Sequence, residues 1–189
     1  MQLLTADDTE AAVQRVRRGV EQALSTGPGL AVLPAGPPVW RTTLTRAVAP
    51  ERDLDAGLVV PTSGSTGTPV GVVLSPDAVR WSAAAVNARL GGPGGWVLAL
   101  PLTHVAGLMV IARALVGDHP VTSAAAGGHQ ALDRLPSRPR YAAVVPTQLR
   151  RLLDDDTQPL ARLDAVVVGG AGLDPRLRVI VVAVFSILI

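Results

Sequence analysis

The sequence predicts an α/β fold with a largely parallel sheet and flanking helices. Three observations carry this prediction. Short apolar runs bounded by turn residues recur along the chain, helix-length segments lie between several of them, and a polar glycine-rich loop leaves one buried run directly. A chain of 189 residues is enough for one such domain with a real core and too short for two large ones. Hydrophobic residues at 48% against charged residues at 17% exclude a disordered chain.

Asp7 and Asp8 precede a helical pattern in which Val13, Val16, Val20, Ala23 and Leu24 share one face. The run Ser25-Thr26-Gly27-Pro28-Gly29 stops that helix. Residues 30–33 read as a strand followed by a Pro/Gly loop, and 57–61 as a second buried strand that enters the glycine-rich loop. Residues 71–74 form another strand. Ser75-Pro76-Asp77 then starts a helix, with Ser as N-cap, Pro at the first helical position and Asp near the positive dipole end. That helix runs to about Leu90, where a glycine cluster ends it. Beyond it the pattern predicts a strand at 96–100, an apolar helix at 105–116 and a strand at 141–145. A helix at 148–153 capped by Thr147 and a strand at 165–168 entering Gly169-Gly170-Ala171 complete the series.

Composition removes several function classes. All 17 basic residues are Arg, and with 15 acids the net charge is only +2, so a sequence pI near 10.3 does not mean a basic surface. Aromatic residues at 3% leave few platforms for stacking bases, so nucleic-acid binding is not expected. The absence of Cys excludes disulfides, thiolate catalysis and Cys-based metal sites. The N-terminus does not read as a signal peptide. The longest apolar run, 179–189, is too short for a transmembrane helix, which takes about twenty residues. A cytoplasmic location is the expectation.

Most of the functional information sits in Pro61-Thr62-Ser63-Gly64-Ser65-Thr66-Gly67-Thr68-Pro69-Val70-Gly71. Hydroxyl side chains alternate with glycines that let the backbone approach a ligand, a combination that cradles phosphate oxygens. A plain Ser/Gly turn has the same composition. The loop's exit from a buried strand and its Pro69 favour the binding reading. It is not a Walker A loop, which requires a Lys, and it is not a dinucleotide fingerprint, because no helix follows directly.

In order and without gaps, Thr62, Ser63, Gly64, Ser65, Thr66, Gly67, Pro69 and Gly71 resemble the signature phosphate loop of the adenylate-forming superfamily, [ST]-S-G-[ST]-T-G-x-P-K-G. The resemblance implies that Thr62, Ser63, Gly64, Ser65, Thr66 and Gly67 hold ATP phosphates during carboxylate activation. The superfamily's Lys position is Val70 here, which supplies no charge near the phosphates. Leu100-Pro101-Leu102-Thr103-His104-Val105-Ala106-Gly107-Leu108 is similar to the "LPL-x-H-x-x-G-L" segment, and that likeness puts His104 on the wall of the acyl pocket. A lone histidine there would otherwise read as a helix-start residue. Gly169, Gly170 and Ala171 resemble the "GGA" strand end that contacts adenine and acyl group. Tyr141 to Leu153 resembles the "V-P-T-x-L-x-x-L-L" strand and helix. The Asp154-Asp155-Asp156 triplet reads as a solvated helix end.

Within the superfamily the wording is most similar to o-succinylbenzoate–CoA ligases of menaquinone synthesis. That resemblance implies an incomplete N-terminal domain of an adenylate-forming enzyme. Its substrates would be a small carboxylate and a nucleotide, with ATP, Mg²⁺ and coenzyme A as cofactors. ATP and the acid would give an acyl-adenylate and pyrophosphate, and coenzyme A would then displace AMP. Residues 1–178 fit a partial AMP-binding domain, and 179–189 form an apolar tail unlike the family. The Tyr-Gly-x-[ST]-Glu segment carrying the Mg²⁺ acid, the ribose-binding Asp and the late catalytic Lys are not among these residues, so no catalytic or metal-ligating residue is assigned. The expectation is a truncated ligase inactive alone. The alternatives are a nucleotide- or acyl-binding module completed by a second chain, or a non-functional frameshift product.

Overall fold

A computed structural model describes residues 1–7, 9–36, 38–48, 55–62, 69–136 and 138–172. Its strands form two four-stranded sheets rather than one. The first runs β1 (Gln2–Ala6), β2 (Leu30–Pro34), β3 (Leu58–Thr62), β4 (Val70–Leu74), with β1, β2 and β3 parallel and β4 returning antiparallel to β3. The second is wholly parallel in the order β6 (Val121–Ser123), β5 (Gly95–Leu98), β7 (Arg140–Val144), β8 (Ala165–Val168).

Helix α1 (Glu10–Leu24) buries Val13, Val16, Val20, Ala23 and Leu24, the stripe predicted from spacing. Its N-cap is Thr9, whose hydroxyl accepts from the Ala12 amide, while Asp7 accepts from Thr9. Helix α2 (Pro38–Val48) and strands β1 and β6 are additions to the elements expected from sequence. Helix α3 (Pro76–Arg89) starts as predicted: the Ser75 hydroxyl accepts from the Ala78 amide at 3.2 Å, Pro76 is first and Asp77 lies in the first turn.

Helix α4 (Val105–Val116) packs against the second sheet and helices α1 and α3, burying Leu108, Val110, Ile111, Ala112 and Ala114. The alternation of β5 and β7 divides the second sheet's side chains between two cores. Trp96, Leu98, Tyr141 and Ala143 face α1, α3 and α4 in the main core, which also takes Leu30 and Leu58 of the first sheet. Val97, Ala142, Val144 and Val166 face the other way, toward α5 (Gly128–Asp133), α6 (Pro146–Asp155) and α7 (Gln158–Ala161). Trp96 and Tyr141 pack with ring centroids 5.3 Å apart, and the Arg113 guanidinium lies 5.3 Å above Trp96. The Tyr141 hydroxyl donates toward the carbonyls of Leu90 and Gly92 at 3.3 and 3.1 Å, tying β7 to the turn after α3.

A polar clasp joins the two halves. At the start of α1 the Glu10 carboxylate accepts from the Ser123 amide at 2.8 Å and the Thr122 hydroxyl at 3.0 Å, with Arg134 at 3.4 Å. Burial pushes its carboxyl up, yet the bonds from Ser123, Gln14 and Thr122 and the nearby Arg134 together outweigh that and hold it below the ordinary carboxylate range. Gln14 adds a bond from its amide to the Val121 carbonyl at 3.1 Å.

One cap differs from expectation. Helix α6 begins at Pro146, so Thr147 lies inside its first turn and does not cap it. The N-cap position is Val145, and its amide is satisfied by the Gln148 side chain at 3.0 Å. Pro146, which needs no amide partner, lets the helix start two residues earlier than the hydroxyl signal implied.

Candidate functional site at the C-terminal edge of the parallel sheet

In a parallel sheet the strand ends and the starts of the following helices share one edge. Helix N-termini with their unpaired N–H groups point there, which favours an anion or a polar ligand. In the second sheet, β5 ends at Leu98 beside Ala143 of β7, and Val144 pairs with Val168 of β8. The edge therefore gathers Ala99, Val145 and Gly169, the residues that follow those strands. Gln148 bridges it: its side-chain oxygen accepts from Val145 and its nitrogen donates to the Ala99 carbonyl at 2.7 Å. Sequence reasoning missed this residue. Its signal was a Gln three positions after the residue preceding Pro146, the spacing of a reciprocal cap.

The predicted acyl-wall residues fall on this edge. His104 is the N-cap residue of α4, exposed, with extended backbone at φ −111° and ψ 149°. Its Nδ1 lies 3.2 Å from the Thr103 hydroxyl, so the ring is held by its neighbour rather than spent on capping the helix. Gly107 explains how the segment turns so tightly: a Cβ there would stand 2.2 Å from the Pro101 carbonyl oxygen. Gly169, Gly170 and Ala171 leave β8 exposed to solvent. The Gly169 amide donates to the Val144 carbonyl at 3.2 Å, and Gly170 takes φ +85°, which disfavours any residue with a side chain. The exit of β5, which leads to His104, and that of β8, which leads to Gly169, Gly170 and Ala171, lie on either side of the β7 exit where α6 starts.

Of the phosphate-loop candidates, Thr62 lies in the first sheet. Thr62 closes β3, is exposed and pairs with Val70 across the β3–β4 hairpin. Its single O–H donates to the Val70 carbonyl at 3.3 Å, so offering that proton to a phosphate oxygen requires the hydroxyl to rotate away. Ser63, Gly64, Ser65, Thr66 and Gly67 lie outside the described residues, as does the tail at 179–189. Val70 is 54% exposed at the start of the edge strand β4.

Asp154, Asp155 and Asp156 are exposed at the end of α6, and Asp156 accepts from His129 of α5 at 2.9 Å. Among the described residues no group of three or more His, Asp or Glu side chains is placed to hold a metal ion, so no Mg²⁺ ligand is assigned. No helix among them is long and apolar enough to cross a membrane.

The family model for the AMP-binding enzyme matches residues 4–188, nearly the whole chain. The chain belongs to the AMP-binding enzyme family. Curated relatives within it carry a consistent activity in their names. The probable 2-succinylbenzoate–CoA ligase of Mycobacterium tuberculosis is 42% identical over 176 residues, covering 87% of this chain and 43% of its own length. The 2-succinylbenzoate–CoA ligase of Salmonella typhimurium is 35% identical over 137 residues, covering 70% of this chain and 28% of its own. This AMP-binding chain thus spans less than half the length of those relatives.

Solved structures agree on the fold. The N-terminal subdomain of Klebsiella oxytoca NpsA, bound to 3-hydroxyanthranilyl-AMSN, superposes with a TM-score of 0.74 at 16% identity, over 97% of this chain and 57% of that one. Escherichia coli MenE carrying an R195K substitution and bound OSB-AMS gives a TM-score of 0.66 at 23% identity, over 93% and 44%. Two sheets and flanking helices in an AMP-binding chain are therefore the N-terminal architecture of adenylate-forming enzymes.

Proposed function

We propose that these residues form the N-terminal part of an acid–CoA ligase that activates o-succinylbenzoate with ATP and passes the acyl group to coenzyme A. The observation that supports the reading is the second sheet's C-terminal edge, where the exits of β5, β7 and β8 that lead to His104, α6 and Gly169–Gly170–Ala171 lie side by side. The names of the relatives support the particular acid.

In this reading the chain's own residues bind and orient. His104 and the Gly169–Ala171 exit wall the acyl and adenine groups. A carboxylate is already ionised at neutral pH, so His104 need not act as a base. Thr62, Ser63, Gly64, Ser65, Thr66 and Gly67 donate to the ATP phosphates. ATP, Mg²⁺ and coenzyme A supply the leaving group, charge neutralisation and acceptor thiol when bound. These 189 residues contain no Lys, so in this reading the remaining functions of adenylation are carried by residues outside them, on the same or a second chain. We place it in the cytoplasm, where its nucleotide and coenzyme A substrates are found.

The test is thermal unfolding of the 189-residue polypeptide with a sulfamoyl analogue of o-succinylbenzoyl-AMP, alongside ATP–pyrophosphate exchange. A saturable rise in Tm without exchange is the expected result. No rise at millimolar analogue overturns the site, and measurable exchange overturns the claim of inactivity.

A further inference from the structure

The second sheet has a cavity on the face turned away from α4. It measures about 280 Å³ and lies between the sheet and helices α5, α6 and α7. Val97, Ala142 and Val144 make its floor, and Leu132 and Leu160 stand in its walls. The sheet itself separates it from the α4 side, and none of His104, Gly169, Gly170 or Ala171 lines it. An engineered apolar cavity of about 150 Å³ is known to hold benzene, so this space is large enough for a bicyclic or branched hydrocarbon body.

Two polar side chains line it, and their states differ. Gln148 is already bonded at both ends, by Val145 and Ala99, and is uncharged, so it supplies no ion partner for a ligand. Arg151 lines the cavity while exposed to solvent, and among the described residues its guanidinium has no hydrogen-bond or ion-pair partner. The neighbouring pairs are closed: His129 binds Asp156 and Arg162 binds Asp133 at 2.6 Å. A single open cation on the lining of an apolar space selects an amphipathic anion, with its hydrocarbon in the cavity and its charge on Arg151.

We propose that this cavity, walled by α5, α6 and α7 with Arg151 at its edge, is a second binding site for a small aryl or branched alkyl carboxylate. It adjoins the sheet's C-terminal edge at Ala99 and Gln148 but shares none of His104, Gly169, Gly170 or Ala171, and does not depend on the role assigned to those residues.

The experiment titrates 2-naphthoate, and separately its uncharged counterpart 2-naphthamide, into the 189-residue polypeptide by calorimetry. Amide exchange maps the protected region. Saturable naphthoate binding is expected, at least tenfold tighter than naphthamide, with exchange slowed in α5 and α6. Arg151→Gln should weaken naphthoate at least tenfold, and Ala142→Leu, which fills the floor, should abolish binding. The naphthamide comparison and the exchange map hold even if a variant misfolds. Absence of saturable naphthoate binding at millimolar concentration overturns the proposal. So does equal affinity for the amide, or protection confined to residues 100–108.

Discussion

Replacing Gly107 with Ala probes the packing that sets His104 in place. The added Cβ would stand 2.2 Å from the Pro101 carbonyl oxygen, 2.8 Å from its carbonyl carbon and 3.1 Å from the Leu100 carbonyl oxygen. All three obstacles are backbone atoms, so no side chain can swing clear. To restore ordinary contact the first turn of α4 must move about 1 Å from the Leu100–Pro101 strand exit. That movement is resisted by Leu108, Val110, Ile111 and Ala112, all buried at 1% exposure or less. Overpacking of this kind costs about 1–3 kcal/mol. For a chain of this length a loss of about 2 kcal/mol lowers Tm by roughly 4–8 °C. Calorimetry of Gly107→Ala against wild type measures it, with Gly169→Ala as control because a Cβ there meets nothing within 4 Å. A Gly107→Ala melting point within about 1 °C of wild type would refute the reasoning.

Glu10→Gln should destabilise by about 1–2 kcal/mol at pH 7, since charged acceptors outperform neutral ones. Because the folded carboxyl is held below its ordinary value of 4.5, the stabilisation is present above that pH and lost as the medium acidifies through the lower folded value. Denaturant midpoints of wild type and variant should therefore converge in acid, and a gap that persists unchanged to pH 2 would contradict the clasp. Tyr141→Phe removes the donor to Leu90 and Gly92 and should cost about 1 kcal/mol, read as a lower urea midpoint at unchanged slope. Val70→Lys sits at an exposed strand position and should change stability by less than about 0.5 kcal/mol. It should also enlarge the ATP-dependent rise in Tm, and an unchanged rise would argue against a phosphate site at this hairpin.

Local signals in the sequence located the elements whose stability is local. The Ser75-Pro76-Asp77 start of α3 and the apolar stripe of α1 needed no knowledge of the rest of the fold. Other elements exist because of distant partners. Strand β1 is a sheet edge with Leu3 and Thr5 exposed, so its alternation reads as a polar lead-in until β2 pairs with it. Strand β6 is three residues long and held by β5 and by Glu10, more than a hundred residues earlier. Helix α2 starts in a Pro/Gly stretch that reads as a loop, and its Thr-rich sequence has weak helix propensity. The division into two sheets is a matter of which strands meet, which periodicity does not encode. At the site, motif order identified His104 and Gly169–Ala171, whereas Gln148 stayed hidden because its two partners belong to different strand exits.

The clasp at Glu10 bears on how this chain emerges from a ribosome. Helix α1 is synthesised early, but its polar end is satisfied by Thr122 and Ser123, and much of its apolar face by α4. Those partners appear about a hundred residues later, an interval of about 5–20 s at ordinary elongation rates. During that interval Val13, Val16 and Val20 have β1, β2 and, once it is made, α3 to cover them. The nascent first sheet therefore presents an apolar helix face to solvent until β6 is made, which is the stage at which the early chain is most exposed to aggregation.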